Sequence, residues 1–176
     1  MEFANVLQLV GQHLESEGKD WAVVGGLALA VHGAGRMTHD VDIATVGSAQ
    51  GVLVQHLESL GYETLHCSDG YSNHAHQNAT MGRVDVVYLD GPTAGLLFAE
   101  ALQTEVVPGV VAKVASVGHL VAMKVLAAKN DPSRHLQEMA DIVALLRAAD
   151  LDAESVRSCF ERHRLIDAWE QVRDSL

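Results

Sequence analysis

Residues 39–45 alternate His39, Val41 and Ile43 against Asp40, Asp42 and Ala44. A period of two sends alternate side chains to opposite faces, so the segment is expected to be a β-strand with both aspartates on one side. Carboxylates two residues apart on a strand sit roughly 6–7 Å apart at the backbone, from a rise of about 3.3 Å per residue. Their oxygens can converge on one or two cations, although a strand with one wet face would show the same residues. The neighbouring segments decide between these readings.

Upstream, residues 3–17 place Phe3, Val6, Leu7, Val10 and Leu14 at helical spacing, and Gly18 ends the run. Residues 21–24 form a short apolar stretch that runs into Gly25-Gly26 and then residues 27–32, a pattern of strand, tight turn and buried helix in which glycine allows close backbone approach. Downstream, residues 52–60 predict a helix closed by Gly61. Strands are expected over 62–67, roughly 74–80 and 83–89, with Met81-Gly82 as a hairpin turn. Residues 92–102 read as a short helix and 105–114 as a last hairpin turning at Pro108-Gly109. The remainder is helical: 120–129, then a helix to about residue 148 started by Asp131-Pro132, then 152–163 and 165–172. The expected fold is α/β (α+β), a small mixed sheet over residues 1–114 followed by a helical bundle over 115–176.

Charge divides the chain in the same way. The net charge is −11, yet residues 1–112 hold only Lys19, Arg36 and Arg83 against thirteen acids, while residues 113–176 hold nine basic side chains against ten acids. An acidic half repels polyphosphate unless a metal cation intervenes, and it offers no basic stripe to a nucleic-acid backbone. A phosphate ligand must therefore be metal-assisted and locally held. No stretch approaches the roughly 20 apolar residues of a membrane span, and residues 1–10 lack the basic start of a secretory signal. Cys67 and Cys159, far apart in sequence, suit reduced thiols. A cytoplasmic protein is expected.

Several side chains carry two readings. Arg36 is either a solvated loop cation or a phosphate clamp, for which its planar fork is suited. Thr38 is a residue that hydrogen-bonds local backbone ahead of the strand. Asp85 alternates onto the same side as Arg83 and could pair with it. Lys124 is the only Lys, Arg, Asp or Glu between Lys113 and Lys129, and a buried cation needs an anion. Its stem carries the ammonium to the surface, or it reaches a phosphate ligand or pairs with Asp141. Arg134 and Glu138, four apart, read as an exposed helical ion pair. His66, Cys67, His74 and His76 are of zinc-ligand type, but their spacing fits no compact zinc motif, and adjacent strand residues point to opposite sides.

Taken together, Gly25-Gly26-Leu27-Ala28, Gly33, Arg36, Thr38 and Asp40-Val41-Asp42 resemble the minimal nucleotidyltransferases related to DNA polymerase beta, and especially the AbiEii-type abortive-infection toxin branch. Arg83-Val84-Asp85-Val86-Val87 is similar to that family's third motif, and the resemblance spans approximately residues 21–146. It implies that Asp40, Asp42 and Asp85 bind two Mg2+ ions, with Mn2+ as the alternative metal, and that Asp85 helps activate an acceptor hydroxyl. Gly25, Gly26, Arg36, Thr38 and Lys124 would hold a nucleoside triphosphate, and the helical region would close over it. Many members carry serine where this chain has Gly26, and an aspartate where it has Glu138. The implied reaction moves a nucleoside monophosphate to a hydroxyl with release of pyrophosphate. A non-catalytic nucleotide- or protein-binding module is the competing class. The acidic first half favours a small-molecule or protein acceptor over an RNA end, and the toxin branch implies an antitoxin partner.

Overall fold

The computed structural model describes residues 1–149 and 151–176, which fall into two compact units: Met1–Val31 with Arg36–Ala115, and His32–Gly35 with Ser116–Leu176.

In the first unit the strands are β1 (Trp21–Val23), β2 (Asp40–Val46), β3 (Glu63–Ser68), β4 (Tyr71–Ala75), β5 (Arg83–Leu89), β6 (Leu102–Val107) and β7 (Val110–Val114). They form one mixed sheet in the order β3-β4-β5-β2-β1-β7-β6. The β2–β5 and β1–β7 pairs are parallel, and the other neighbouring pairs are antiparallel. Helix α1 (Phe3–Ser16) precedes them, and α2 (Gly25–Val31), α3 (Gln50–Ser59) and α4 (Gly91–Glu100) lie between strands. The expected amphipathic face of α1 is the one buried: Val6, Leu7, Val10 and Leu14 pack on α3, whose Leu53 and Leu57 are fully inside. Each such side chain contributes about 1.5–3 kcal/mol on leaving water. Over the first four residues of β2 the burial alternates as the sequence requires, with Val41 and Ile43 inaccessible and Asp40 and Asp42 half-buried, and beyond them Ala44 and Thr45 are buried as well.

One strand departs from expectation. β4 covers Tyr71–Ala75 rather than roughly 74–80, and Met81-Gly82 belongs to a longer connection, not a hairpin turn. The cause is a polar core. His74 is fully buried and lies 3.1 Å from Thr64 Oγ1 and 2.8 Å from Ser72 Oγ, which is itself 2.7 Å from Tyr88 Oη. Polar side chains that satisfy one another can occupy an interior that hydrophobic alternation does not reveal.

The second unit holds α5 (Val117–Asn130), a single 3-10 turn at Pro132–Arg134, α6 (His135–Ala148), α7 (Ala153–Arg162) and α8 (Ile166–Asp174). α5 packs on α6 and α7, and α8 packs on α6 and α7, around Leu120, Val125, Ile142, Leu145, Phe160 and Trp169. The helix starts follow side-chain chemistry. Ser116 accepts from the His119 amide, Asp131 from Ser133 and Asp152 from Ser155, each satisfying an amide that has no partner within its helix. No helix is long and apolar enough to cross a membrane among the described residues.

Candidate active site

The parallel pairing of β2 with β5 sets Asp42 directly beside Asp85 and Asp40 beside Arg83. With the two-residue spacing along β2, this register brings three carboxylates to one place. Asp40, Asp42 and Asp85 are all half-buried, and each offers an oxygen within 4.8 Å of the others'. Among the described residues this is the one group of three or more His, Cys, Asp or Glu side chains assembled so closely. Neither Cys67, which is exposed, nor buried His74 joins such a group.

The glycine pair is fitted to this cluster. Gly25 has φ +58°, a left-handed conformation that side-chain-bearing residues rarely adopt. A Cβ there would also collide with the Asp42 carboxyl group. A Cβ on Gly26 would lie 2.6 Å from Thr38 Cβ, and the Gly26 amide donates to Asp42 Oδ2 at 3.4 Å. The start of α2 therefore lies directly against Asp42 and Thr38, an approach that only glycine permits. Thr38 donates its hydroxyl hydrogen to Asp40 Oδ1, so it serves the carboxylate cluster as well as the chain leading into β2. Arg36, exposed in the same connection, donates to the Met37 carbonyl at 3.3 Å.

Asp85 sits in a ring of polar side chains that the sequence did not disclose. Asn73, directly opposite on β4, donates to Asp85 Oδ1. Arg83 Nη2 donates to Asn73 Oδ1 at 3.0 Å, and the Asn73 amide nitrogen is 3.5 Å from Tyr71 Oη. Arg83 thus faces the cluster through an amide. Burial pushes the Asp85 carboxyl pKa above its ordinary value, and Asp40 pushes it further, against the lowering effect of hydrogen bonds from Asn73 and Tyr71 and of the Arg83 charge. The Tyr71 phenol is pushed up to about 12 by burial and then by the Asp85 charge. The resemblance of Arg83-Val84-Asp85-Val86-Val87 to the family's third motif pointed to Asp85, whereas Tyr71 and Asn73 became visible only once β4 had its register.

At an effective dielectric near 20, two unit charges at such a separation repel by roughly 3 kcal/mol before further solvent screening. Single hydrogen bonds to a charged group return about 1.5–3 kcal/mol. Thr38, Asn73 and Gly26 therefore position the carboxylates with donors that carry no charge of their own. Hard oxygens converging on one point fit a Mg2+ or Mn2+ ion, which takes one or two carboxylates together with substrate oxygens.

Lys124 lies in the second unit, on α5, and is almost wholly buried. Its Nζ is 2.9 Å from Glu138 Oε2 and 2.6 Å from Asp141 Oδ2 on α6. Arg134 Nη2 is 2.6 Å from Glu138 Oε1, so the expected Arg134–Glu138 pair is present. It is exposed on the arginine side only, since the Glu138 side chain is 2% accessible.

No protein-family model matches the sequence, and no curated protein matches it. Solved structures do resemble it. The antibiotic-resistance factor ANT(2'')-Ia in solution superposes with a TM-score of 0.69 over 99% of this chain and 98% of its own, at 16% identity. The same protein in complex with adenylyl-2''-tobramycin gives 0.65 over 93% and 98%, again at 16% identity. The lincosamide antibiotic adenylyltransferase LnuA with lincomycin bound gives 0.53 over 82% and 97%, at 15% identity. On this shared architecture, the chain has the nucleotidyltransferase fold.

Proposed function

We propose that this protein is a metal-dependent nucleotidyltransferase that moves a nucleoside monophosphate from a nucleoside triphosphate to a hydroxyl on a small molecule, releasing pyrophosphate. The observation that carries the reading is the convergence of Asp40, Asp42 and Asp85 beside Gly25-Gly26, in a fold shared with antibiotic adenylyltransferases.

Asp40, Asp42 and Asp85 would hold the Mg2+ or Mn2+ ions. When bound, such ions neutralise phosphate charge and stabilise the entering and leaving oxygens of an in-line displacement. The chain's own part is positioning. Thr38 orients the Asp40 carboxylate, and the Gly26 amide orients that of Asp42. Gly25, Gly26, Arg36 and Thr38 would form the nucleotide side of the site, Arg36 through a planar fork suited to phosphate oxygens. Asp85 is the carboxylate to take the proton of the acceptor hydroxyl. The acceptor oxygen then attacks the α-phosphorus as the bond from that phosphorus to the α,β-bridging oxygen breaks, and pyrophosphate leaves.

A small hydroxylated acceptor is favoured because the neighbours of this fold hold one, an adenylylated tobramycin in one case and lincomycin in the other. An RNA acceptor, which the toxin-like resemblance would imply, needs several basic side chains acting together. Residues 1–112 supply three. The test is pyrophosphate release from each nucleoside triphosphate with Mg2+ or Mn2+, against a panel of polyhydroxylated small molecules, protein extract and tRNA. Turnover with a small molecule is expected. Triphosphate binding with no pyrophosphate release under any condition would identify a binding module instead, and label transfer to tRNA alone would move the assignment to RNA modification.

A further inference from the structure

Asn73 is buried to 7% accessibility in the middle of β4, an interior position that strand-forming residues would normally fill with an apolar side chain. Its two amide ends have different partners. Nδ2 donates to Asp85 Oδ1, and Oδ1 accepts from Arg83 Nη2 at 3.0 Å. A carboxylate can only accept and a guanidinium can only donate, so chemistry fixes which way this amide points. Arg83 and Asp85 stand two apart on β5 and share a face, the arrangement in which a guanidinium would otherwise close on the carboxylate as a bidentate pair.

Resting on the proposed metal-dependent reading, we infer that Asn73 is a positioning residue that acts as a spacer. It holds Asp85 Oδ1 with a neutral donor and occupies Arg83, which keeps the guanidinium off the carboxylate and preserves the negative charge of the three-aspartate cluster for a divalent cation. No ionised residue could serve at position 73. An aspartate would add a fourth negative charge beside Asp85, and a lysine would neutralise it. Of the neutral side chains, an amide is suited to accept from a cation at one end while donating to an anion at the other.

The test reads Mn2+ binding to the full-length protein by electron paramagnetic resonance, with pyrophosphate release beside it and circular dichroism as the check of folding. Asn73→Ala is expected to weaken Mn2+ binding at least tenfold, because Arg83 then closes on Asp85. Adding Arg83→Met to Asn73→Ala should restore most of that affinity, a rescue that a merely structural asparagine would not show. Unchanged Mn2+ affinity in Asn73→Ala, or no recovery in the double variant, overturns the inference. Arg83→Met alone, at an exposed position, does not depend on what position 73 tolerates. Its Mn2+ affinity should stay within threefold of wild type, and a rise of tenfold or more would mean that Arg83 already screens Asp85 and that Asn73 is no spacer. Failure of the underlying reading looks different, since wild-type protein would then neither bind Mn2+ nor release pyrophosphate.

Discussion

On β2 and β5, three carboxylates stand within 4.8 Å of one another and are held by a threonine hydroxyl, an amide and a backbone N–H. Between α5 and α6, two carboxylates hold a lysine and one of them also holds an arginine. Both groups are charged and removed from bulk water to different degrees, yet their balance differs. The helical group brings its own cations, Lys124 and Arg134. The sheet group gathers like charges, and the donors it receives from Thr38, Asn73 and Gly26 are neutral, so a divalent cation would relieve repulsion there. A buried ion cluster whose charges are matched is an architectural element, and a gathering of half-buried like charges is a candidate binding site.

The comparison can be broken most severely at Lys124. Lys124→Met leaves Glu138 and Asp141 without the ammonium, and losing one partner of a buried pair costs about 3–5 kcal/mol. Urea denaturation should show that loss, while Mn2+ binding by the folded fraction stays at the wild-type level. Replacing all three side chains by apolar ones of similar volume should recover most of the stability. If triphosphate affinity falls instead and stability holds, the lysine serves a ligand.

Asp42→Asn probes the other group. It removes one charge while nearly preserving shape, so transfer should fall about 10²–10³-fold, the scale of one preorganised electrostatic contact. Its melting temperature should stay level or rise, since a repulsion has gone. Wild-type protein should melt higher as Mg2+ is added, through linkage of binding to folding, and Asp42→Asn should lose that response. A melting temperature that collapses in this variant would show that Asp42 is structural.

Gly25→Ala imposes a left-handed backbone on alanine, at about 1–3 kcal/mol, and drives its Cβ into Asp42. Mn2+ affinity should fall along with stability, and an intact affinity would uncouple the glycine from the cluster. The smallest effect calibrates the helical unit. Ser116→Ala removes the side chain that accepts from the His119 amide, for about 1 kcal/mol in a thermal melt. Mn2+ binding should not respond.

How much of this was legible depended on whether the deciding interaction was local. Strand β2 and its paired aspartates were readable because alternation is a property of consecutive residues, and the glycine pair because its backbone requirement is local too. β5 was read at its observed limits, Arg83–Leu89. β4 was misplaced because Ser72, Asn73 and His74 are polar residues in a buried strand, satisfied by Thr64, Tyr88, Asp85 and Arg83 from other parts of the chain. Non-local pairing likewise keeps Asn73 and Tyr71 out of reach of any local sequence pattern. For Lys124 the need for an anion was plain and Asp141 was one named candidate. The four-residue spacing predicts an exposed Arg134–Glu138 pair, and it misses the burial of Glu138 because spacing along α6 does not say which of its faces α5 covers.

The centre of the sheet has a consequence for how the protein is made. β1 is only three residues long, yet it joins β2 on one side and β7 on the other, with Val23 paired to both Ile43 and Val114. Its first neighbour follows soon after it in the chain, and its second comes at the far end of the sheet's sequence. During synthesis one flank of β1 therefore waits, with open hydrogen-bonding groups and apolar side chains, until nearly the whole unit has emerged. Unsatisfied strand edges in partly formed sheets are sites of aberrant association. The yield of soluble protein should consequently depend on the speed of translation and on chaperone supply more than on the final stability of the folded chain.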